Sequence, residues 1–205
     1  MQLVSRLVNK RNVMKACLYV VNLSGPLARS AGQQPRNSSF HPIAALVNGA
    51  PSMQDFAKLR TDNALLIKEP LVLYIVAHAV PNGLIDANGE TIQEIEVAKL
   101  IQQKRGDLPT VIVWDVCFAG SFLDIPGCAD WSSNYVHIFA CQDFERTWQK
   151  KGVTQFSEAL KAALDALPSE KDWERLDAEL QKQLGTLQTP DIIAGADAGM
   201  PADFF

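Results

Sequence analysis

Residues 111–122 read VIVWDVCFAGSF: an apolar run, β-branched at four of its first six positions, that carries Asp115 and Cys117 and turns at once into Ala119, Gly120 and Ser121. A run this short and this apolar predicts a strand buried on both faces, which requires a sheet covered by helices on both sides. Side chains alternate along a strand, so Asp115 and Cys117 lean to one face. The stretch therefore points to an α/β fold. It also poses a chemical question, because a core strand has no structural need to end by presenting a carboxylate and a thiol together.

The flanking sequence extends the same pattern. Upstream, residues 71–77 are apolar at nearly every position and end in His78 and Ala79, with Val76 and His78 sharing a face. Strand signals also cover 16–23, 135–141 and the tail segment LQTPDIIAG. Helical patterns cover 52–60, with Ser52 as N-cap, then 92–105, 154–167 and 171–184, the last two split by Pro168 and Ser169. In the 92–105 helix Ile92, Ile95, Val97, Leu100 and Ile101 form an apolar stripe that Gly106 stops. Asn88-Gly89 predicts a small hairpin just before it. The order β, α, β, α, β, β, α, α, β predicts a three-layer α/β/α sandwich with a mostly parallel central sheet, one domain over 1–205 and no internal repeat.

Composition narrows the function classes. The chain has 205 residues, 47% of them hydrophobic and 20% charged, the balance of an ordinary globular protein with a real core. A net charge of −4 with scattered Lys and Arg gives no basic footprint for nucleic acid or an anionic membrane. No apolar run approaches the roughly 18 residues of a membrane span. Lys10, Arg11 and Lys15 ahead of ACLYVV imitate a signal peptide, but Asn22 and Pro26 interrupt the run, which serves better as a first strand. Four cysteines without a C-x-x-C pair suit neither a disulfide framework nor zinc, so a cytosolic address is expected. Cys17 and Cys141 read as buried thiols, and Cys128, beside Gly127, as an exposed one.

Ligands in open α/β sheets gather beyond the carboxyl ends of the strands. His78 and Cys117 stand at two such ends, 39 positions apart in sequence, which supplies a nucleophile with a base. His137, inside YVHIFA, reads as a packed strand residue, and His41 has no visible partner. Asp86, Asn88 and Glu90 fall short of the acidic loop a calcium site requires, so no metal and no cofactor is expected.

At these residues the chain resembles the caspase-like cysteine peptidases, the group of caspases and metacaspases, and within it a single-domain member of prokaryotic type. The resemblance rests on a strand ending His78-Ala79 and on Asp115, Cys117, Ala119 and Gly120 spaced Asp-x-Cys-x-Ala-Gly. It continues through HIFACQDFERTW, GVTQFSEALKAAL and QTPDI, covering most of 13–195. It implies a Cys117/His78 dyad that cleaves peptide bonds without a metal, and an oxyanion hole made by the N–H groups of Cys117 and Ala79. Ala79 departs from the glycine usual after the histidine. The resemblance further implies that Asp115, with Val76 beside it, lines the pocket for the P1 side chain and selects Arg or Lys there. Relatives often mature by cutting the loop after the nucleophile strand, yet no Lys or Arg lies between Arg105 and Arg146, and Lys150 and Lys151 are the nearest basic cut positions. Asp143 and Glu145 stand where the substrate groove would be bordered. Other readings stay open: Asp115 as an ion pair or turn cap, a non-catalytic caspase-like domain that binds a peptide or a regulatory partner protein, and a different Cys/His hydrolase on a similar sheet.

Overall fold

The structure is a computed structural model that describes residues 17–22, 68, 70–85, 89–150, 153–167 and 172–205. The expected helix at 52–60, the long loop after the first strand, His41, Asp86, Asn88 and Lys151 lie outside the described residues. Nine strands are described: β1 Cys17–Asn22, β2 Leu71–Val80, β3 Gly83–Ile85, β4 Thr91–Gln93, β5 Thr110–Val116, β6 Tyr135–Phe139, β7 Gln149–Lys150, β8 Val153–Thr154 and β9 Asp191–Ala194. The helices are α1 Glu94–Arg105, α2 Gln155–Ala166, α3 Trp173–Leu184 and α4 Pro201–Phe204, with a short 3-10 turn at Ala119–Phe122.

β1, β2, β5 and β6 form a parallel block, and β9 closes one side antiparallel to β6. Their residues are apolar on both faces because both faces are covered. On one, Leu73, Ile75, Ile112, Trp114, Tyr135 and Phe139 pack with Val97 and Ile101 of α1. On the other, Val72, Tyr74, Val113 and Ile138 pack with Phe156 and Leu160 of α2 and Leu176 and Leu180 of α3. Helices of 12 residues are marginal alone, so it is these apolar stripes against the sheet that hold α2 and α3 in place. The expected three-layer α/β sandwich is the fold observed.

Among the boundaries that differ from the sequence reading, such as β6 ending at Phe139 and not at Cys141, three have a local bonding reason. β2 does not stop at Ala77. Its ladder with β5 ends there, but His78, Ala79 and Val80 go on to pair antiparallel with Ile85, Leu84 and Gly83. The two-residue turn between them is Pro81-Asn82, with Asn82 at φ 95°, the conformation a type II turn demands at its third position. α1 begins at Glu94 and not at Ile92, because Ile92 pairs with Leu84 in β4 and the Glu94 N–H donates to the Asn82 carbonyl at 3.2 Å. α3 begins at Trp173, where Asp172 accepts from the Glu174 N–H at 2.9 Å as N-cap. The β3/β4 hairpin itself stands where Asn88-Gly89 announced it, with Gly89 at φ 86°.

Candidate active site

The parallel register brings the two expected reactive residues to one end of neighbouring strands. Ala77 pairs with Val116, on strands about 4.8 Å apart, and His78 and Cys117 are the next residue of each. Along β2, Tyr74, Val76 and His78 share the face that packs against α2 and α3, and along β5 Val113 and Asp115 do the same. His78 is exposed, Cys117 half-buried and Val76 buried.

The backbone after β5 is held to one shape by the loop after β6. Phe118 sits in the left-handed region at φ 57°, a conformation a phenylalanine adopts only when its surroundings impose it. Its N–H donates to the Glu145 carbonyl at 2.8 Å, and the Gly120 N–H donates to the Cys141 carbonyl at 3.0 Å. Gly120 has to be glycine: a Cβ there would lie 2.8 Å from the Asp143 backbone nitrogen. Thr147, in the same loop, stands with its hydroxyl 3.5 Å from Cys117 Sγ, and Arg146 lies over the Phe118 ring at 6.0 Å from its centre. Glu145 anchors that loop from the other side through bonds to its carboxylate from the Thr189 N–H (2.9 Å) and hydroxyl (2.8 Å). Asp143 is exposed, as are the aromatic rings of Phe144 and Trp148.

Ala79 lies within regular β2 and outside the positive-φ residues, so glycine's conformational freedom is not needed there. Residues flanking a two-residue hairpin turn exchange ladder bonds, here Val80 and Gly83. One step back, the Ala79 N–H accordingly faces away from β3.

Asp115 is the most constrained member of the group. It is 1% exposed, and a single carboxylate oxygen, Oδ2, accepts three hydroxyl bonds: from Tyr74 at 2.9 Å, Thr154 at 2.6 Å and Ser157 at 2.7 Å. Thr154 and Ser157 also touch through their hydroxyls, and Thr154 caps α2 by accepting the Ser157 N–H at 3.1 Å. The other oxygen, Oδ1, is buried with no hydrogen-bond partner among the described residues. Burial raises the Asp115 pKa, and the bonds from Thr154, Ser157 and Tyr74 oppose that rise without cancelling it. Burial and the nearby Asp115 charge likewise keep the Tyr74 hydroxyl protonated, a permanent donor.

The remaining candidates divide cleanly. His137 is buried, accepts from Trp114 Nε1 at 3.1 Å and stacks on Phe139, the packed strand residue expected. Cys141 is buried, and burial pushes its thiol up to about 11. Cys128 departs from its expected exposure: it is half-buried, packs on the α1 face and donates to Gln102 Oε1 at 3.3 Å. Glu90 is exposed, and no group of His, Cys, Asp or Glu suited to a metal occurs among the described residues. No described helix is long and apolar enough to cross a membrane. Sequence reasoning missed Tyr74, Thr147 and Ser157, which reach the site only through tertiary contact, and saw Thr154 only as the start of a helix.

No family model matches the chain, and no curated protein matches it in sequence. Among solved structures it is similar to the crystal structure of caspase-1 from Spodoptera frugiperda, at 11% identity and a TM-score of 0.56, over 94% of this chain and 94% of that one. At that identity the likeness shows the fold alone, a caspase-like α/β sandwich.

Proposed function

We propose that this chain is a cysteine endopeptidase that cleaves polypeptides after a basic residue. The observation that carries the reading is the Ala77/Val116 register pair, which sets His78 beside Cys117 at the carboxyl end of a parallel sheet. Cys117, as thiolate, attacks the scissile carbonyl carbon. The tetrahedral oxyanion is met by the N–H groups of Cys117 and Ala79, and His78 gives its proton to the leaving amine. Water, deprotonated by His78, then hydrolyses the thioester and returns Cys117 as the leaving group. The extended backbone at Ala79 supports its role as an oxyanion donor, since alanine adopts that conformation as readily as glycine.

Asp115 supplies the P1 preference. It lies two strand residues below Cys117, about 6.6 Å, the depth an extended basic side chain spans when its carbonyl carbon is at the sulfur. Its unmatched Oδ1 is a buried acceptor that a cation satisfies, and an acidic P1 residue is repelled by the same charge. The chain works in the cytosol as a single domain without a cofactor, and a regulatory partner protein sets when it acts. The test is a fluorogenic peptide library varied at P1. Substrates ending in Lys or Arg should be cut, Cys117→Ala and His78→Ala should stop turnover, and Asp115→Ala should cost cleavage after basic residues at least tenfold while the fold survives. Cleavage that persists in Cys117→Ala would end the proposal.

A further inference from the structure

We infer that the Asp115 pocket is built for a primary ammonium and not for a guanidinium, so that lysine exceeds arginine at P1; this rests on the peptidase reading above. The reason is the uneven loading of one carboxylate. A guanidinium gains its advantage over an ammonium by a two-pronged fork, one N–H to each carboxylate oxygen. Here three hydroxyls already crowd Oδ2, those of Tyr74, Thr154 and Ser157 at 2.9, 2.6 and 2.7 Å, more than its two lone pairs can take, and Tyr74 can also turn to the Ser157 hydroxyl at 3.1 Å. Two oxygens offer about four acceptor sites between them, so a fourth donor on Oδ2 has no lone pair left to meet. Only Oδ1 is open.

An arginine reaching Asp115 could thus make a single bond, and its other N–H groups would enter a buried space whose visible acceptors are already engaged. Each unmet buried donor is costly. An ammonium loses nothing by single-point contact, because it has no fork to satisfy. The setting acts in the same direction: Tyr74, Val76, Thr154 and Ser157 are all buried, so an N–H left without an acceptor beside them has no water to turn to. Tyr74, Thr154 and Ser157 are on this account positioning residues, acting on substrate through Asp115.

The experiment compares matched peptides differing only in Lys, Arg or Leu at P1, and in parallel titrates n-butylamine and n-butylguanidine against the uncut protein by calorimetry, which needs no turnover. The expected result is kcat/KM for Lys at least fivefold above Arg, with the amine binding more tightly than the guanidine. The double variant Thr154→Val/Ser157→Ala, which leaves Tyr74 as the one hydroxyl on Oδ2 and so frees a lone pair there, should bring the Lys/Arg ratio down at least threefold; a merely structural role would lower both rates and leave the ratio unchanged. Arg equal to or above Lys in the wild type, with the guanidine bound as tightly as the amine, overturns this inference and leaves the basic-P1 reading standing. Leu cut as well as either basic residue, or alkyl cations whose binding survives Asp115→Asn, overturns the parent reading itself.

Discussion

Two buried residues on β5 and β6 carry opposite consequences of leaving water. Asp115 has no cation beside it among the described residues, and burial raises its pKa. The folded state therefore binds that proton more tightly than the unfolded chain, so ionised Asp115 costs stability, a cost that begins to lift as pH falls through the raised folded value and is gone below the unfolded value of 3.8. Asp115→Asn should accordingly melt at or above the wild-type temperature at pH 8, with its advantage shrinking as the pH is lowered toward the ordinary carboxylate value of 3.8, while cleavage after basic residues falls. Melting curves of both proteins across that range check it, and a wild type that is the more stable throughout would mean that the three hydroxyl bonds outweigh desolvation. His137 runs the other way. Burial lowers its pKa from 6.5 to about 3, so its contribution is intact above 6.5 and is lost as pH falls toward about 3, on the order of 5 kcal/mol across the interval. His137→Phe should start less stable at pH 8, by roughly 1–2 kcal/mol for the stranded Trp114 N–H, and should close the gap in acid. Denaturant titrations at pH 8 and 4.5 decide it: a gap that stays constant would assign the acid sensitivity elsewhere.

At the scale of elements, the N-terminus of α2 joins the helix layer to the site. Thr154 accepts the Ser157 N–H as N-cap and donates to Asp115, so Thr154→Val removes both bonds at nearly constant volume. The expected loss is roughly 1–3 kcal/mol, seen as a shift in denaturant midpoint, and Thr154→Ser, which keeps the hydroxyl, should escape most of that loss; equal losses in the two variants would show that the methyl group and not the hydroxyl matters. This junction also marks the limit of what the sequence discloses. The strands of the parallel block were legible because a strand covered on both faces must be apolar throughout, and so was the position of Cys117 and His78 at the ends of two such runs. Thr154 as a helix start was legible too. Its bond to Asp115 was not, since those residues stand 39 positions apart and no periodicity reports a contact between a strand and a helix cap. Tyr74, at 41 positions, looks in sequence like one more core aromatic. The extension of β2 past Ala77 had a local signal in Pro81-Asn82, a proline followed by a residue tolerant of positive φ, but Ala79 and Val80 give no hint of which strand they meet.

For the whole molecule, the decisive segment is the connection from β5 to β6, residues 119–134. It is not a loose tether. Phe122 is fully buried against Trp114, Trp131 donates to the Phe122 carbonyl at 3.0 Å, and Gln102 of α1 donates to the carbonyls of Ala129 at 2.8 Å and Asp130 at 3.2 Å. Ser132 adds a bond to Asp107 at 3.0 Å. A protease takes its substrate as an extended strand, and this segment would have to surrender those contacts to be one. On the proposed basic-P1 specificity the charge pattern bars it a second time, because neither Lys nor Arg occurs between Arg105 and Arg146. Both observations converge on a protein that is active without being cut there. Wild type and Cys117→Ala, purified side by side, should each give one intact mass of 22.5 kDa, and the wild type should cleave basic-P1 peptides in that state. A break within 119–134 present in the wild type and absent from Cys117→Ala would show that the enzyme accepts a non-basic P1 residue, and the specificity assigned to Asp115 would fall with it.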